Sequence, residues 1–327
     1  MTILITGATG FLGSSLVTKL TQQELTVRVL ARDEHKAKER FGETVTIVQG
    51  DITNKGQVKR AVDGSTVIYH LAGRLYHPST PAQIYRQIHC EGTRVLLDAC
   101  QGQPQLQRLV YCSTTGVYGV TGQEPANEKT PFAPTNPYEA TKLQGELLAL
   151  QAHQEHGLPV SIVRPGLVYG PGDKHLLGLF AAIQKGLFRT IDGGTALLHP
   201  VYIDDLINAF LLCAGQPKAI GQSYNIAGAC PVTVSELAST IAHSMKRKLS
   251  TYSIPLWLAN FVSDMFSITP GFQGERAPLT RSRIRFLTHS RIYSIDRAKN
   301  ELGYTPNVGL EEGIKRTSAW YQKHGYL

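Results

Sequence analysis

Short apolar segments alternate with polar or amphipathic segments through the first half of the chain. The apolar segments are rich in β-branched residues and end near Gly, Asp or a hydroxyl residue, as buried strands do. The polar segments between them suit crossover helices. This alternation predicts an α/β fold with a doubly wound parallel sheet, whose ligands bind at the carboxyl ends of the strands. The predicted strands after the first are Leu25–Arg32, Thr44–Asp51, Thr66–Gly73, Arg108–Thr114 and Pro159–Gly166.

The chain begins with MTILITGATGFLGSS, where an apolar run precedes three evenly spaced glycines, Gly7, Gly10 and Gly13. The run from Ile3 to Ile5 predicts a buried strand, and the apolar residues after Gly10 have helical spacing. Glycines at this place allow a tight turn, and the helix N-terminus offers N–H groups and a positive dipole end to a diphosphate. We therefore predict nucleotide binding, against the alternative of a turn that binds nothing.

The alternation fades after Pro165, where Gly, Pro and charged residues become more frequent. Only Tyr202–Gly215 and Ser223–Gly228 still suit a helix and a strand of the first domain. We therefore predict a nucleotide-binding domain of residues 1–165 plus about 197–228. The remainder, about 166–196 and 229–327, is expected to form a smaller, irregular α/β lobe that binds the substrate.

Length and hydrophobicity indicate an ordinary globular protein, since 42% of the 327 residues are hydrophobic. A strand that starts at Ile3 leaves no room for a signal peptide. The longest apolar stretch, Ile254–Ile268, is interrupted by Asn260, Ser263 and Asp264 and is shorter than the about 20 residues that span a bilayer. We expect a soluble, cytoplasmic protein without stable membrane insertion, although this stretch could rest on a membrane surface.

Cysteines and charges restrict the partners further. The five cysteines show neither a C-x-x-C pair nor metal-ligand spacing, so we predict free thiols and no metal site. The net charge of +8 fits nucleic acid, an anionic membrane, a phosphorylated ligand or simply a solvated basic surface. The dense basic cluster Arg281–Arg291 lacks a nucleic-acid-binding signature, so no nucleic-acid partner is expected. Arg283 or Arg285 could instead bind a diphosphate group of the substrate.

Tyr138 and Lys142 lie four residues apart in NPYEATKLQGE, a segment with helical character. Both side chains would project from one face of the helix, one turn apart. A phenol has an ordinary pKa of about 10, and a neighbouring ammonium lowers it by favouring the phenolate. The pair therefore suits acid–base chemistry, although the same spacing also occurs by chance as a surface Lys beside a partly buried Tyr.

Six motifs follow one another across nearly the whole chain: GATGFLG, GDI, HLAG, STTGVYG, YEATK and RPGLVYGPG. Together they resemble the extended short-chain dehydrogenase/reductase family, also called the NAD-dependent epimerase/dehydratase family. The resemblance implies a Rossmann-type fold, a nicotinamide cofactor and a homodimer formed through helices around residues 82–100 and 138–156. The C-terminal region is similar to that of bacterial members that resemble 3β-hydroxysteroid dehydrogenases.

The resemblance also implies roles for single residues. Thr114 would hydrogen-bond the reacting oxygen, Tyr138 would transfer the proton, and Lys142 would bind the nicotinamide ribose and lower the pKa of Tyr138. The candidate cofactor-binding residues are Gly7, Gly10, Phe11, Leu12, Gly13, Arg32, Asp51, Ile52, Leu71, Ala72, Gly73, Tyr138, Lys142, Pro165 and Val168. The candidate substrate-binding residues are Thr115, Tyr169 and Arg283.

Two positions depart from the family pattern. Ala31 and Arg32 stand where NAD-using members place an acid against the ribose 2′-hydroxyl, which favours NADP over NAD. Asp33 leaves NAD open, because a small shift of the turn would bring its carboxylate to the ribose. His89 replaces the usual Asn of the NVxGT pattern, and we interpret it as structural rather than as a catalytic base.

Three functions are compatible with this scaffold: a dehydrogenase or reductase, a nucleotide-sugar epimerase with tightly bound NAD, and a non-catalytic cofactor sensor. The intact Thr114, Tyr138 and Lys142 argue against a sensor. Thr115 and Gly116 replace the acidic pair of the 4,6-dehydratases. We predict an NAD(P)-dependent oxidoreductase that acts on a secondary alcohol or ketone of a bulky, sterol- or lipid-like small molecule, with the epimerase as the alternative.

Overall fold

A parallel sheet of seven strands lies at the centre of the protein. The computed structural model describes residues 1–268 and 279–327. The strands, numbered along the chain, are β1 (Thr2–Thr6), β2 (Thr26–Ala31), β3 (Thr46–Gln49), β4 (Val67–His70), β5 (Arg108–Cys112), β6 (Val160–Pro165), β7 (Leu167–Tyr169), β8 (Thr190–Ile191), β9 (Leu197–Leu198), β10 (Pro200–Tyr202), β11 (Ser223–Ile226), β12 (Val232–Thr233) and β13 (Ser253–Ile254). The central sheet has the order β3-β2-β1-β4-β5-β6-β11, and each neighbouring pair is parallel.

Helices connect these strands and cover both faces of the sheet. In chain order they are α1 (Phe11–Gln22), α2 (Glu34–Phe41), α3 (Lys55–Val62), α4 (Ala82–Arg86), α5 (Gly92–Cys100), α6 (Pro137–His156), α7 (Leu177–Gln184), α8 (Ile203–Gly215), α9 (Val234–Ser244), α10 (Leu256–Ile268), α11 (Arg281–Thr288), α12 (Asp296–Leu302) and α13 (Leu310–Lys323). A π-helical turn, Gln87–Glu91, joins α4 to α5. In the described part of the chain, each helix is too short or too polar to cross a bilayer.

The apolar positions along the strands form two cores, one on each face of the sheet. One core joins Leu4, Ile68 and Leu109 to the buried sides of α3, α5 and α6. The other joins Ile3 and Ile5 to α1 and α8 and continues into α7, α9 and α13. Strands that are buried on both faces need near-continuous apolar runs, which explains why these segments were recognisable in the sequence. The predicted doubly wound α/β fold is confirmed.

The chain returns to the sheet after leaving it at β6. Ser223 pairs with Ile162 and Ile226 pairs with Pro165, so β11 extends the sheet beyond β6. Short strand pairs, β7 with β10, β9 with β12 and β8 with β13, build the C-terminal part together with α7 and α9–α11. The predicted helix Tyr202–Gly215 and strand Ser223–Gly228 are therefore present as α8 and β11. The division into a nucleotide-binding domain and a substrate lobe stays a prediction.

Candidate active site

The glycine turn after β1 is packed too tightly for any side chain. Gly7 has a φ of +72°, and a Cβ there would lie 2.6 Å from the carbonyl carbon of Leu71. A Cβ on Gly13 would lie 2.2 Å from the carbonyl oxygen of Gly7. The N-cap of α1 is Gly10, and no side chain caps the helix. The N-terminal N–H groups of α1 are therefore available to an anion, as a diphosphate loop requires.

Arg32 and Asp33 directly follow β2, and their side chains have different surroundings. The Arg32 side chain is exposed directly after the buried end of the strand. Asp33 is the N-cap of α2, and its Oδ1 accepts a hydrogen bond of 3.0 Å from the backbone N–H of Lys36. The Asp33 carboxylate, which left NAD open as the cofactor in the sequence, thus caps the start of α2.

Arg40 is a cation near the glycine turn that sequence reasoning missed. Its guanidinium lies on α2 but donates to Ser14 Oγ at 2.6 Å and to the Thr9 carbonyl oxygen at 3.3 Å. Ser14 belongs to α1, so Arg40 joins two helices beside the diphosphate loop. Because Arg40 lies on a polar face of α2, the sequence gave no indication that its side chain reaches the glycine turn.

Two of the candidate cofactor-binding residues, Asp51 and Ile52, lie just after the end of β3. Asp51 Oδ1 accepts hydrogen bonds from the N–H and the Oγ1 of Thr53, at 2.9 and 2.7 Å. Ile52 is buried against α5, where a Cβ on Gly92 would meet Ile52 Cγ2 at 2.8 Å. Leu71, Ala72 and Gly73 follow β4, and the Leu71 backbone touches the glycine turn.

Tyr138 and Lys142 occupy the first two turns of α6. The Asn136 side chain caps this helix by accepting from the Glu139 N–H at 3.0 Å, and Pro137 stands at the first helical position. Lys142 is buried, and its Nζ donates to the carbonyl oxygen of Cys112 at the end of β5. The two predicted catalytic side chains are therefore brought to the carboxyl edge of the sheet.

Thr114 completes this cluster from the end of β5. It begins the 3₁₀ turn Thr115–Tyr118, and its Oγ1 accepts from the Gly116 N–H at 3.1 Å. Its hydroxyl also hydrogen-bonds Tyr138. The structure thus brings Thr114 and Tyr138 together and holds Lys142 at the neighbouring Cys112.

The pKa of Tyr138 shifts in the direction opposite to our sequence-based expectation. Burial raises the pKa of the phenol above its ordinary value, while the hydrogen bond with Thr114 acts in the lowering direction. Burial also lowers the pKa of the Lys142 ammonium. The expected lowering by Lys142 is not found, because that ammonium is directed to the Cys112 carbonyl oxygen and desolvation of the phenolate dominates.

His89 is a buried, neutral part of the scaffold beneath Tyr138. Its ring lies 5.6 Å from the Tyr138 ring, centroid to centroid. Nε2 accepts from the Arg74 N–H at 3.1 Å, so Nδ1 carries the proton and donates to Thr141 Oγ1 at 2.9 Å. Burial, together with the charge of Lys142, lowers the pKa of His89 to about 2. These contacts support the structural interpretation over that of a base.

A second buried histidine ties the strand ends together. His70 Nδ1 accepts from Thr6 Oγ1 at 2.7 Å, and Nε2 donates to Thr93 Oγ1 at 3.0 Å. Thr93 in turn donates to the His89 carbonyl oxygen at 2.6 Å. Burial lowers the pKa of His70 to about 3. The HLAG motif indicated Leu71 to Gly73 but gave no sign that His70 connects Thr6 to Thr93.

The candidate substrate residues lie in three different surroundings. Thr115 is buried and donates to the Pro165 carbonyl oxygen at 3.1 Å. Tyr169 is buried in the main core, where its ring lies 5.6 Å from that of Tyr202. Both side chains are engaged in the protein interior, so we do not propose Thr115 or Tyr169 as substrate-binding residues. Arg283 lies on the exposed side of α11, and the structure does not bring it to the Tyr138 cluster.

Pro165 and Val168 lie where the chain leaves the central sheet. Pro165 is the last residue of β6, and Val168 pairs with Val201 between β7 and β10. Beside them, the Ser113 hydroxyl is buried and has no hydrogen-bond partner among the described residues. An unpaired hydroxyl at the edge of the sheet, next to Thr114, fits a site built to receive a polar ligand.

An ion pair that spans the chain holds the start of α6. Arg291 Nη1 donates to Glu139 Oε1 at 2.6 Å, and Glu139 Oε2 accepts from the N–H and Oγ1 of Thr135. In the sequence, Arg291 belongs to the basic cluster Arg281–Arg291. Sequence gave no signal for this contact because the two charges are 152 residues apart.

Among residues 1–268 and 279–327, no group of three or more His, Cys, Asp or Glu side chains is arranged to hold a metal ion. All five cysteines are free thiols, and Cys230 alone among them is exposed.

Comparison with known proteins shows which proteins this chain is similar to. Residues 3–227 match the NAD dependent epimerase/dehydratase family. The 3β-hydroxysteroid-dehydrogenase/decarboxylase isoform 1 of Arabidopsis thaliana is 30% identical over 96% of this chain and 78% of its own length. The 2-alkyl-3-oxoalkanoate reductase of Shewanella oneidensis is 30% identical over 96% of this chain and 85% of its own length. The crystal structure of UDP-glucuronic acid 4-epimerase from Bacillus cereus in complex with NAD is similar, with a TM-score of 0.80, 22% identity and 99% of both chains covered. At that identity the likeness shows the fold alone.

Proposed function

Because the chain belongs to the NAD-dependent epimerase/dehydratase family, and is therefore an enzyme of nicotinamide chemistry, we propose that it is a dehydrogenase or reductase of secondary alcohols and ketones. The observation that carries this proposal is the meeting of Thr114, Tyr138 and Lys142 at the carboxyl edge of the sheet. Parallel α/β sheets bind their ligands at this edge.

Thr114, Tyr138 and Lys142 have different roles in the proposed reaction. The bound cofactor supplies the hydride in reduction and accepts it in oxidation. In reduction the Tyr138 hydroxyl gives its proton to the substrate oxygen, while the Thr114 hydroxyl hydrogen-bonds the same oxygen. The Tyr138 phenol is protonated at neutral pH, because burial raises a pKa that is ordinarily about 10. Lys142 is held by the Cys112 carbonyl oxygen, and its ammonium would bind the nicotinamide ribose beside Tyr138.

NADP is the cofactor that we propose. Arg32 follows β2, where a 2′-phosphate would lie, and Asp33 is already occupied as the cap of α2. Arg40 adds a second cation beside the glycine turn. An exposed guanidinium suits bidentate binding of a phosphate, whereas one oxygen of the Asp33 carboxylate is already bonded to the Lys36 N–H.

The substrate that we propose is a bulky, lipid- or sterol-like alcohol or ketone. The two relatives at 30% identity are named for a 3β-hydroxysteroid and a 2-alkyl-3-oxoalkanoate. Both names describe a secondary alcohol or a ketone on an apolar skeleton. The epimerase alternative has only structural neighbours below 25% identity in its favour, and those carry no substrate argument.

The deciding experiment follows absorbance of the reduced cofactor at saturating NADPH or NADH with a panel of bulky ketones. Tyr138→Phe should lower kcat by about 10²- to 10⁴-fold, the usual contribution of general acid catalysis, while the Kd for NADPH stays within about twofold. Tyr304→Phe is the matched control, because its hydroxyl donates to the Ala227 carbonyl oxygen outside the site. Unchanged turnover in Tyr138→Phe would remove this residue from the mechanism. Near-stoichiometric NAD released from the denatured protein, with no ketone reduced, would favour the epimerase.

A further inference from the structure

Helix α10 presents an apolar row to solvent at the surface of the C-terminal part. Trp257 and Phe261 lie one turn apart and are 70% and 60% exposed. We call these two residues the exposed ridge. Residues four apart share one face of a helix. A row of large apolar side chains turned to water is uncommon on a soluble surface and marks an interaction site.

The opposite face of α10 is the one that packs on the protein. Ala259 and Ser263 are buried, and Ala259 joins Ile191 and Ile284 in a small apolar core. The backbone N–H of Leu256 donates to Asp192 Oδ1 at 2.9 Å, which fixes the start of the helix. The helix therefore has its own buried face, and Trp257 and Phe261 lie exposed on the other side of it.

Basic side chains flank the ridge on α11. Arg281 donates to Asp264 Oδ1 and Oδ2 and to Asn260 Oδ1, at 2.9, 2.6 and 2.8 Å, so α11 runs along one side of α10. Arg285 lies one turn further along α11, on the same side as Arg281. Arg281 neutralises Asp264, which leaves the charge of Arg285 uncompensated by an acid on these two helices.

A shallow cleft of about 290 Å³ opens between α10 and α11. It is lined by Leu256, Asn260, Arg281, Ile284, Arg285, Thr288 and His289. The cleft thus combines guanidinium and imidazole donors with an apolar floor. Donors of this kind bind phosphate oxygens.

Two more exposed apolar side chains lie close to the start of α10. Tyr252 is 81% exposed and Leu187 is 71% exposed. The strand pair of Ser253 with Thr190 brings their segments together. Each segment is accompanied by exposed or half-buried basic residues: Lys185, Arg189, Lys246, Arg247 and Lys248.

From this arrangement we propose that the α10–α11 surface docks on an anionic phospholipid bilayer, with the exposed ridge among the lipid chains and Arg285 at the phosphate level. Aromatic residues beside arginines are the composition of helices that lie in a membrane interface. Each basic residue near an anionic surface adds to the attraction. The proposal does not depend on the substrate of the Tyr138 site.

The test is co-sedimentation of the full chain with vesicles of phosphatidylcholine, with and without phosphatidylglycerol. The wild-type protein should bind the anionic vesicles about tenfold more strongly than the neutral ones, and added salt should weaken that binding. Trp257→Ser/Phe261→Ser should lower vesicle affinity at least about tenfold. Arg285→Gln should reduce the preference for anionic vesicles. Leu75→Ser/Val120→Ser, exposed apolar residues elsewhere, is the matched control and should bind as the wild type does.

Folding and cofactor binding are monitored on the same samples. Unchanged thermal midpoints and NADPH affinity in the ridge variant would assign its loss of binding to the surface and not to the active site. The proposal is overturned if the wild-type protein binds neither vesicle, or if the ridge variant binds as the wild type does. It is equally overturned if, without lipid, the wild-type protein sediments as a larger species than the ridge variant, because a second copy would then cover the ridge.

Discussion

At Tyr138 two influences on the phenol pKa oppose each other. Burial raises the pKa, and the hydrogen bond with Thr114 lowers it. The YEATK spacing alone suggested that Lys142 would dominate, because a sequence shows which charges are close but not how much water surrounds them. The backbone carbonyl of Cys112, which holds the ammonium, is invisible to a side-chain motif. The lowered pKa that the motif suggested for Tyr138 is therefore not found, while the role of the cluster in catalysis stays a prediction.

Cofactor selection is a prediction at the scale of one residue, Arg32. Arg32→Asp should remove the attraction for a 2′-phosphate and add a repulsion, so the ratio of Kd for NADPH to Kd for NADH should rise at least about tenfold. Titration of both nucleotides against the purified protein measures this ratio without any substrate. Arg60→Asp makes the same charge change on α3, also at an exposed position, and should leave the ratio unchanged. An equal ratio in Arg32→Asp and the wild type would exclude the 2′-phosphate role.

At the scale of the element, the start of α6 fixes the catalytic geometry. Asn136 caps the helix two residues before Tyr138, with its side chain on the Glu139 N–H at 3.0 Å. Asn54 caps α3 in the same way, with its side chain on the Gln57 N–H at 3.1 Å. The two caps are chemically alike, but only one lies beside the proposed catalytic tyrosine.

Replacing either cap by alanine should therefore separate stability from catalysis. Asn136→Ala and Asn54→Ala should each lower the free energy of unfolding by about 1 kcal/mol. Only Asn136→Ala should also lower kcat, because fraying of the first turn displaces the Tyr138 hydroxyl from Thr114. Chemical denaturation and steady-state kinetics on both variants provide the measurements. Equal kcat values in the two variants would show that the cap has no part in positioning Tyr138.

The sequence predicted elements well where one local pattern determines them. Thr66–Gly73 was expected as a strand and Val67–His70 is observed, since a run buried on both faces has no polar positions to obscure it. Asp33 was read as a possible ribose ligand, although an Asp before a helical segment also signals an N-cap. Contacts such as Arg291 with Glu139 depend on how distant segments fold together. The homodimer stays a prediction, because no pattern within one chain shows which surface a second copy covers.

Across the whole molecule, the buried histidines link the sheet edge to global stability. His70 and His89 are buried and connected through Thr93. Both are neutral in the folded protein, since burial lowers their pKa values to about 3 and about 2. In the unfolded chain each imidazole has an ordinary pKa of about 6.5. Below that pH the unfolded chain binds two protons that the folded protein does not bind.

Stability should therefore fall as the pH decreases from about 6.5 towards about 3, and each histidine should contribute about 1.4 kcal/mol per pH unit. His89→Asn keeps an acceptor for the Arg74 N–H and a donor for Thr141 but cannot titrate, so the slope of unfolding free energy against pH should decrease by about 1.4 kcal/mol per unit. Urea denaturation at several pH values measures the slope. His156→Asn, at the exposed end of α6, is the control and should keep the wild-type slope. An identical slope in His89→Asn and the wild type would mean that His89 takes up its proton in the folded protein as readily as in the unfolded chain.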